Sequence, residues 1–177
     1  MPDILSKIPE FSWPIAFAIV HPNVGGILGG FITRKNINPW YQSLKRPNWT
    51  PPNWLFGPVW TSIYSSLGYA SYLVYRDIPS IDNSSILPLT LYATNLALNW
   101  SWTPIFFGLH KIDWALYNIM ALWINTATLG FVYYKINHTA GLLIIPYVAW
   151  NTLATALNYV VYRDNKNDLS IEEIKEE

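Results

Sequence analysis

The sequence predicts an all-α membrane protein, a bundle of five transmembrane helices with a proline- and tryptophan-rich loop between the first two. Three observations carry this. Charged residues make up only 12% of the 177 positions, about half the roughly 25% usual in soluble domains. The formal charges fall in clusters separated by five long uncharged stretches. Between the first two stretches lies WYQSLKRPNWTPPNWLFGPVW, from Trp40 to Trp60, holding four of the ten tryptophans and four of the thirteen prolines.

The first uncharged stretch runs from Glu10 to Arg34 and is broken only by His21; it predicts a span over about residues 12–33. A spanning helix needs about 20 mostly apolar residues. Gly25, Gly26, Gly29 and Gly30 give two overlapping G-x-x-x-G spacings here. Glycines four apart strip side chains from one helix face and let a second backbone approach. That face packs within the bundle or against a second copy in a homodimer.

In the loop that follows, Pro47, Pro51, Pro52 and Pro58 each remove a backbone donor and restrict the preceding residue, which leaves little room for regular helix before Pro58. Tryptophans in such a loop need an apolar surface, either the bilayer interface or the mouth of a binding cavity. The next stretches, Arg46–Arg76, Asp82–His110, Asp113–Lys135 and His138–Arg163, predict spans over about 54–76, 86–107, 114–134 and 139–162. Residues 1–165 then form the transmembrane domain, and 166–177 an acidic tail that is expected to fray. A soluble bundle would carry charges at helical spacing on its outer face; here every face of each stretch lacks them.

Composition also excludes functions. Zero net charge argues against nucleic acid as a partner, and the absence of cysteine removes disulfides and thiol chemistry. His21, His110 and His138 are too far apart for a metal-ligand spacing. No metal, cofactor or catalytic residue is assigned. No Asp, Glu, Lys or Arg lies mid-span, which argues against a pump or an ion-coupled transporter.

Polar and aromatic side chains inside the spans are the remaining candidates. Asn95, Asn99, Asn118, Asn125, Asn151 and Asn158 need amide partners in hydrocarbon, supplied by neighbouring helices or by a ligand. Trp13, Trp40 and Trp54 read as interfacial anchors; Trp60 and Trp150 read equally as anchors or pocket walls. Trp150, Ala154 and Leu157 share one helix face. Leu157, Tyr159 and Arg163 fit a sterol-contact pattern at a span end, which a snorkelling arginine beside an interfacial tyrosine explains as well. Counting Lys and Arg on alternate sides gives three (Lys7, Arg76, Lys135) against eight (Arg34, Lys35, Lys45, Arg46, Lys111, Arg163, Lys166, Lys175). The positive-inside rule places the loop and the C-terminus on the cytosolic side.

Taken together, WYQSLKRPNWTPPNWLFGPVW with YSSLGYASYLVYRD, then LALNWSWTPIFFG, WALYNI and PYVAWNTLATALNYVVYRDN, in that order over roughly residues 13–165, closely resemble the translocator protein family. Its members are also called tryptophan-rich sensory proteins or peripheral-type benzodiazepine receptors, and the match is nearest to the animal branch. The resemblance implies five helices around a pocket closed by the loop. It implies binding of cholesterol, of protoporphyrin IX or haem-like tetrapyrroles, and of isoquinoline or benzodiazepine compounds. It also implies the outer mitochondrial membrane, with membrane lipids as surroundings. Carried over by position, the pocket comprises Gly30, Phe56, Gly57, Val59, Trp60, Asn99, Trp114, Trp150, Ala154 and Leu157, with Leu157, Tyr159 and Arg163 as the sterol motif. The sequence departs at Thr50 and Asn53, where mammalian members have histidines, at Asn118, where Asp is common, and at Tyr162, where Trp is usual. A binding or translocating receptor is the first expectation. An interaction scaffold of the outer membrane comes second, and a light-dependent porphyrin-degrading enzyme using Trp60 and Trp150 third.

Overall fold

A computed structural model describes residues 12–78 and 83–176, with side chains over 12–78 and 85–166. Lys7 and the side chains of Lys175 and of the acidic residues of the tail lie outside what is described. Five helices form in the predicted order: α1 (Trp13–Asn36), α2 (Asn53–Asp77), α3 (Asn83–Thr103), α4 (Ile112–Ile136) and α5 (His138–Glu176). Two short π-turns follow helices, Ile37–Tyr41 after α1 and Pro104–Gly108 after α3; the first is kinked, with Asn38 extended and the Asn38–Pro39 peptide cis. Pro14 lies in the first turn of α1, where the missing N–H of proline has no helical partner to lose.

The helices pack as a closed ring in the spatial order α1, α2, α5, α4, α3. The C-terminal ends of α1, α3 and α5 meet at one end of the bundle, under the loop; those of α2 and α4 meet at the other. At that far end the α4–α5 connection is Asn137 alone. Its Oδ1 accepts the Ala140 N–H at 2.8 Å and its Nδ2 donates to Asp77 Oδ2 at 2.6 Å. One side chain thus caps α5 and ties it to α2. The Arg76 guanidinium, and after it this amide, hold the Asp77 carboxyl below the usual carboxylate range.

Polarity is distributed inside out. Phe17, Val20, Ile27 and Phe31 of α1, Tyr117, Ile124 and Phe131 of α4, and Leu142 and Ile145 of α5 are exposed, while Asn95, Asn99, Asn125, Thr126, Asn151 and Asn158 are buried. An exposed apolar surface this extensive needs lipid against it, and buried amides need one another. Three segments, Trp13–Tyr41, Ile112–Ile136 and His138–Lys166, are long and apolar enough by length and composition to cross a membrane. α2 and α3, at 25 and 21 residues, have the length, about 1.5 Å per residue. Their tyrosines, tryptophans, serines and asparagines lower their mean hydropathy.

Small residues set the closest helix contacts. Pro22 lies inside α1 and so leaves the Ala18 carbonyl without its i+4 donor. Gly68 of α2 sits against that carbonyl: a Cβ there would lie 2.0 Å from Ala18 O and 2.9 Å from Ile19 Cα. The glycine repeat of α1 divides the same way. A Cβ at Gly25 or Gly29 would meet Trp100 or Thr103 of α3, and one at Gly26 would meet Tyr64 of α2. These three glycines pack within the bundle. Gly30 faces outward, with nothing within 4 Å of its Cβ position.

Candidate functional site

The inner wall at the loop end is aromatic. Phe56 and Trp60 lie one turn apart on α2, and their rings meet that of Trp150 on α5 with centroids 5.6 and 6.4 Å away, both edge-to-face. Trp60 also lies 5.5 Å from the Tyr64 ring and 6.1 Å from that of Tyr147. Val59, Trp60 and Trp150 are partly buried against the central core, whereas Phe56 leans on a second cluster built by Tyr41, Phe106, Phe107, Ile112 and Leu157. The aromatic wall thus bridges the bundle core and the packing beneath the loop. The indole Nε1 of Trp150 is buried without a hydrogen-bond partner, as are Oδ1 of the adjacent Asn151 and Oγ1 of Thr155 just over one turn on. A buried unpaired donor costs about 1–3 kcal/mol.

Beneath this wall a hydrogen-bond network crosses the bundle. Tyr64 OH donates to Asn99 Oδ1 at 2.5 Å, and Asn99 Nδ2 donates to Tyr147 OH. Tyr147 OH in turn donates to Asn95 Oδ1 at 3.0 Å. Asn95 Nδ2 reaches Asn125 Oδ1 and Thr126 Oγ1, each at 2.9 Å, and Asn151 Nδ2 reaches Thr126 Oγ1 at 3.1 Å. Four helices share this network. It fixes the rotation of each about its axis and forms the polar floor under Trp60.

The loop is held to the bundle by several contacts. The Trp40 ring stacks on His110 at 4.0 Å and meets Phe106 edge-to-face at 5.5 Å. His110 adopts a left-handed backbone conformation, φ 57°, which turns the chain out of the second π-turn and presents the imidazole to Trp40. Tyr41 is buried, and the Arg46 guanidinium lies 4.6 Å above its ring. Farther along, Lys45 N–H donates to Asn165 Oδ1 at 3.0 Å while Asn165 Nδ2 donates back to Lys45 O at 3.0 Å. This reciprocal pair fastens the loop backbone to the end of α5, across the top of the aromatic wall.

Of the pocket residues expected from the sequence, the structure brings together Phe56, Val59, Trp60 and Trp150. Ala154 lies one turn beyond Trp150 on α5. Asn99 joins them through Tyr64 and Tyr147 rather than by lining the wall. Leu157 is buried in the cluster under the loop. Three residues are placed elsewhere. Trp114 is 66% exposed, on the outward face of α4 with Tyr117 and Ile124, because that helix turns its Ala115 and Ile119 face inward. Gly57 and Gly30 are exposed, with nothing within 4 Å of a Cβ at either. Trp40 differs from its expected anchor role: half-buried, it packs the loop onto α3. Trp13 and Trp54, 76% and 72% exposed, suit the interfacial role. On α5, Tyr159 and Arg163 lie one turn apart and both face outward, while Leu157 turns inward. Arg163 Nε is 2.7 Å from Asp164 Oδ1.

Sequence reasoning missed Tyr147, His110, Asn165 and Gly68. Asn165 sits in the Arg-Asp-Asn run after the last span, where a polar residue looks like ordinary solvated helix end. Tyr147 had no signal beyond its place on the Trp150 face.

Comparison with known proteins agrees with this architecture. Residues 18–163 match the TspO/MBR family. The chain is 38% identical to a translocator protein of Bos taurus over 158 residues, covering 89% of this chain and 93% of that one. It is 40% identical to the translocator protein of Homo sapiens over 144 residues, 81% and 85% of the two chains. A tryptophan-rich protein TspO of Archaeoglobus fulgidus is 38% identical over 138 residues, 77% and 87% of the two.

Proposed function

The chain belongs to the TspO/MBR family of membrane proteins, and from that premise we propose that it is a receptor for rigid, largely apolar ligands taken up at the loop end. The ligand classes are porphyrins such as protoporphyrin IX, cholesterol, and isoquinoline or benzodiazepine compounds. The observation that carries this reading is the Phe56–Trp60–Trp150 wall with its buried, unpartnered indole N–H. Flat ring systems pack on edge-to-face aromatics, and a ligand carbonyl or ring nitrogen gives the indole its acceptor. The loop, fastened by Asn165 and stiffened by Pro47, Pro51 and Pro52, covers the wall at little cost in entropy. Outside the bundle, Tyr159 with Arg163 at the end of α5 offers an aromatic face and a hydroxyl partner to a sterol in the surrounding leaflet.

The membrane is the outer mitochondrial one in this reading, with the loop and C-terminus cytosolic. Support comes from the Lys and Arg excess at the loop end, where Arg34, Lys35, Lys45, Arg46, Lys111, Arg163 and Lys166 gather. No formal charge lies mid-span to couple movement to an ion, so any passage of ligand runs down its own gradient.

An equilibrium competition among cholesterol, protoporphyrin IX and an isoquinoline ligand, on protein in lipid nanodiscs, tests the assignment. Protoporphyrin IX and the isoquinoline are expected to displace each other fully, because both need the Trp60–Trp150 wall. Cholesterol is expected to displace neither fully, because the Tyr159–Arg163 face is outside the bundle. Independent binding of protoporphyrin and isoquinoline at saturation would sink the shared-wall assignment.

A further inference from the structure

A cavity lies at the end of the bundle opposite the loop, among α1, α2, α3 and α4. Its volume is about 360 Å³, within the range of small-molecule sites, and its walls include Phe17, His21, Tyr72, Tyr75, Tyr92 and Tyr133. Among the described residues, its lining contains no Asp, Glu, Lys or Arg. Two hydrogen-bonded pairs supply the polar atoms: His21 Nδ1 with Tyr92 OH at 3.2 Å, and Ser71 Oγ with Tyr133 OH at 2.9 Å. The His21 ring is fixed by stacking on Phe17 at 5.6 Å and by the edge of Trp100 at 5.7 Å. The ring contacts of Phe56, Trp60 and Trp150 described above involve none of these residues.

We propose that this far-end cavity is a separate binding site for a small, flat, uncharged ring compound bearing one hydrogen-bonding group. The shape follows from the walls, which present aromatic faces and edges on several sides, the surroundings that planar rings prefer. Lack of charge follows from the lining: an ionised ligand would leave water for a low-dielectric space with no counter-charge, a cost of several kcal/mol. The single polar group follows from His21 and Tyr92, whose paired ring nitrogen and hydroxyl retain further capacity for one partner. A tetrapyrrole with its two propionates fits neither the volume nor the lining, so this inference does not rest on the ligand proposed for the loop end.

The test uses 1-aminoanthracene, a fluorescent, flat, neutral amine, titrated onto the full chain in lipid nanodiscs with empty nanodiscs subtracted. Saturable binding is expected to persist when protoporphyrin IX is present at saturation. Leu89→Trp, at a half-exposed rim position where a larger ring folds without strain, is expected to weaken that persisting binding at least tenfold. Tyr92→Phe is expected to weaken it several-fold with the fold intact by circular dichroism. The anionic probe 1-anilinonaphthalene-8-sulfonate is expected not to compete. Complete displacement by protoporphyrin, or persisting binding that Leu89→Trp leaves unchanged, overturns the proposal. Failure of protoporphyrin itself to bind would count only against the loop-end reading, because the Leu89→Trp comparison needs no porphyrin.

Discussion

Gly68→Ala is expected to be the most destabilising single-methyl change in the protein. The added carbon would lie 2.0 Å from Ala18 O and 2.8 Å from Ala18 C. Both are backbone atoms of α1, so no side-chain rotamer relieves the overlap, and α1 must move off α2. Overpacking that shifts backbone costs about 1–3 kcal/mol or more, and here it also uncouples His21 and Trp100 from their partners. The expected loss is about 3 kcal/mol, or roughly 6–12 °C in the melting midpoint for a chain of this size. Gly57→Ala and Gly30→Ala, where the Cβ meets open space, are expected to hold or raise the midpoint, since alanine is the better helix former by about 1 kcal/mol. Thermal unfolding of the three variants in one detergent measures the contrast. Equal midpoints for Gly68→Ala and Gly57→Ala would show that the α1–α2 contact is not as close as described.

Asn95→Leu is the second large effect. Its amide accepts from Tyr147 OH at 3.0 Å and donates to Asn125 Oδ1 and Thr126 Oγ1, each at 2.9 Å. Leucine is similar in size, so the change tests hydrogen bonding rather than volume. Single interhelical bonds in membranes are worth only about 0.6 kcal/mol on average. Three lost at once, with the Asn125 amide oxygen left buried and unpaired at about 1–3 kcal/mol, give an expected loss of about 3–5 kcal/mol. The same measurement on Thr128→Val, where only a bond to the Ile124 carbonyl of its own helix is removed at an exposed position, is expected to show no change beyond about 0.5 kcal/mol. A neutral Asn95→Leu would mean that the amides do not act as a unit.

These two residues also show what the sequence reveals and what it hides. The five helices were readable because charge is absent over stretches of span length, a signal independent of packing. It identified α2 and α3, whose tyrosines, tryptophans and asparagines weaken a purely hydropathic reading. The asparagines were readable as interhelical for the same reason: an amide in hydrocarbon has few alternatives. Their pairing was not readable, because it depends on how each helix is rotated. The same rotation turns Trp114 outward and Trp150 inward, though both are tryptophans in motif positions. Trp40 and Trp54 belong to one sequence motif, yet one packs on His110 and the other faces out. Gly68 drew no notice because its role requires a proline on another helix, Pro22, to free the carbonyl it rests against.

The central claim is that the Trp60–Trp150 wall holds the ligand. The most direct measurement is quenching of tryptophan fluorescence by protoporphyrin IX, titrated to equilibrium on the intact chain in lipid nanodiscs. Saturable quenching at micromolar porphyrin is expected. Trp60→Phe and Trp150→Phe are each expected to weaken binding about tenfold, a difference of about 1.4 kcal/mol, whereas Trp114→Phe, on the outward face, leaves the dissociation constant unchanged. Absence of saturable quenching, or a loss on Trp114→Phe as large as that on Trp150→Phe, would contradict the account.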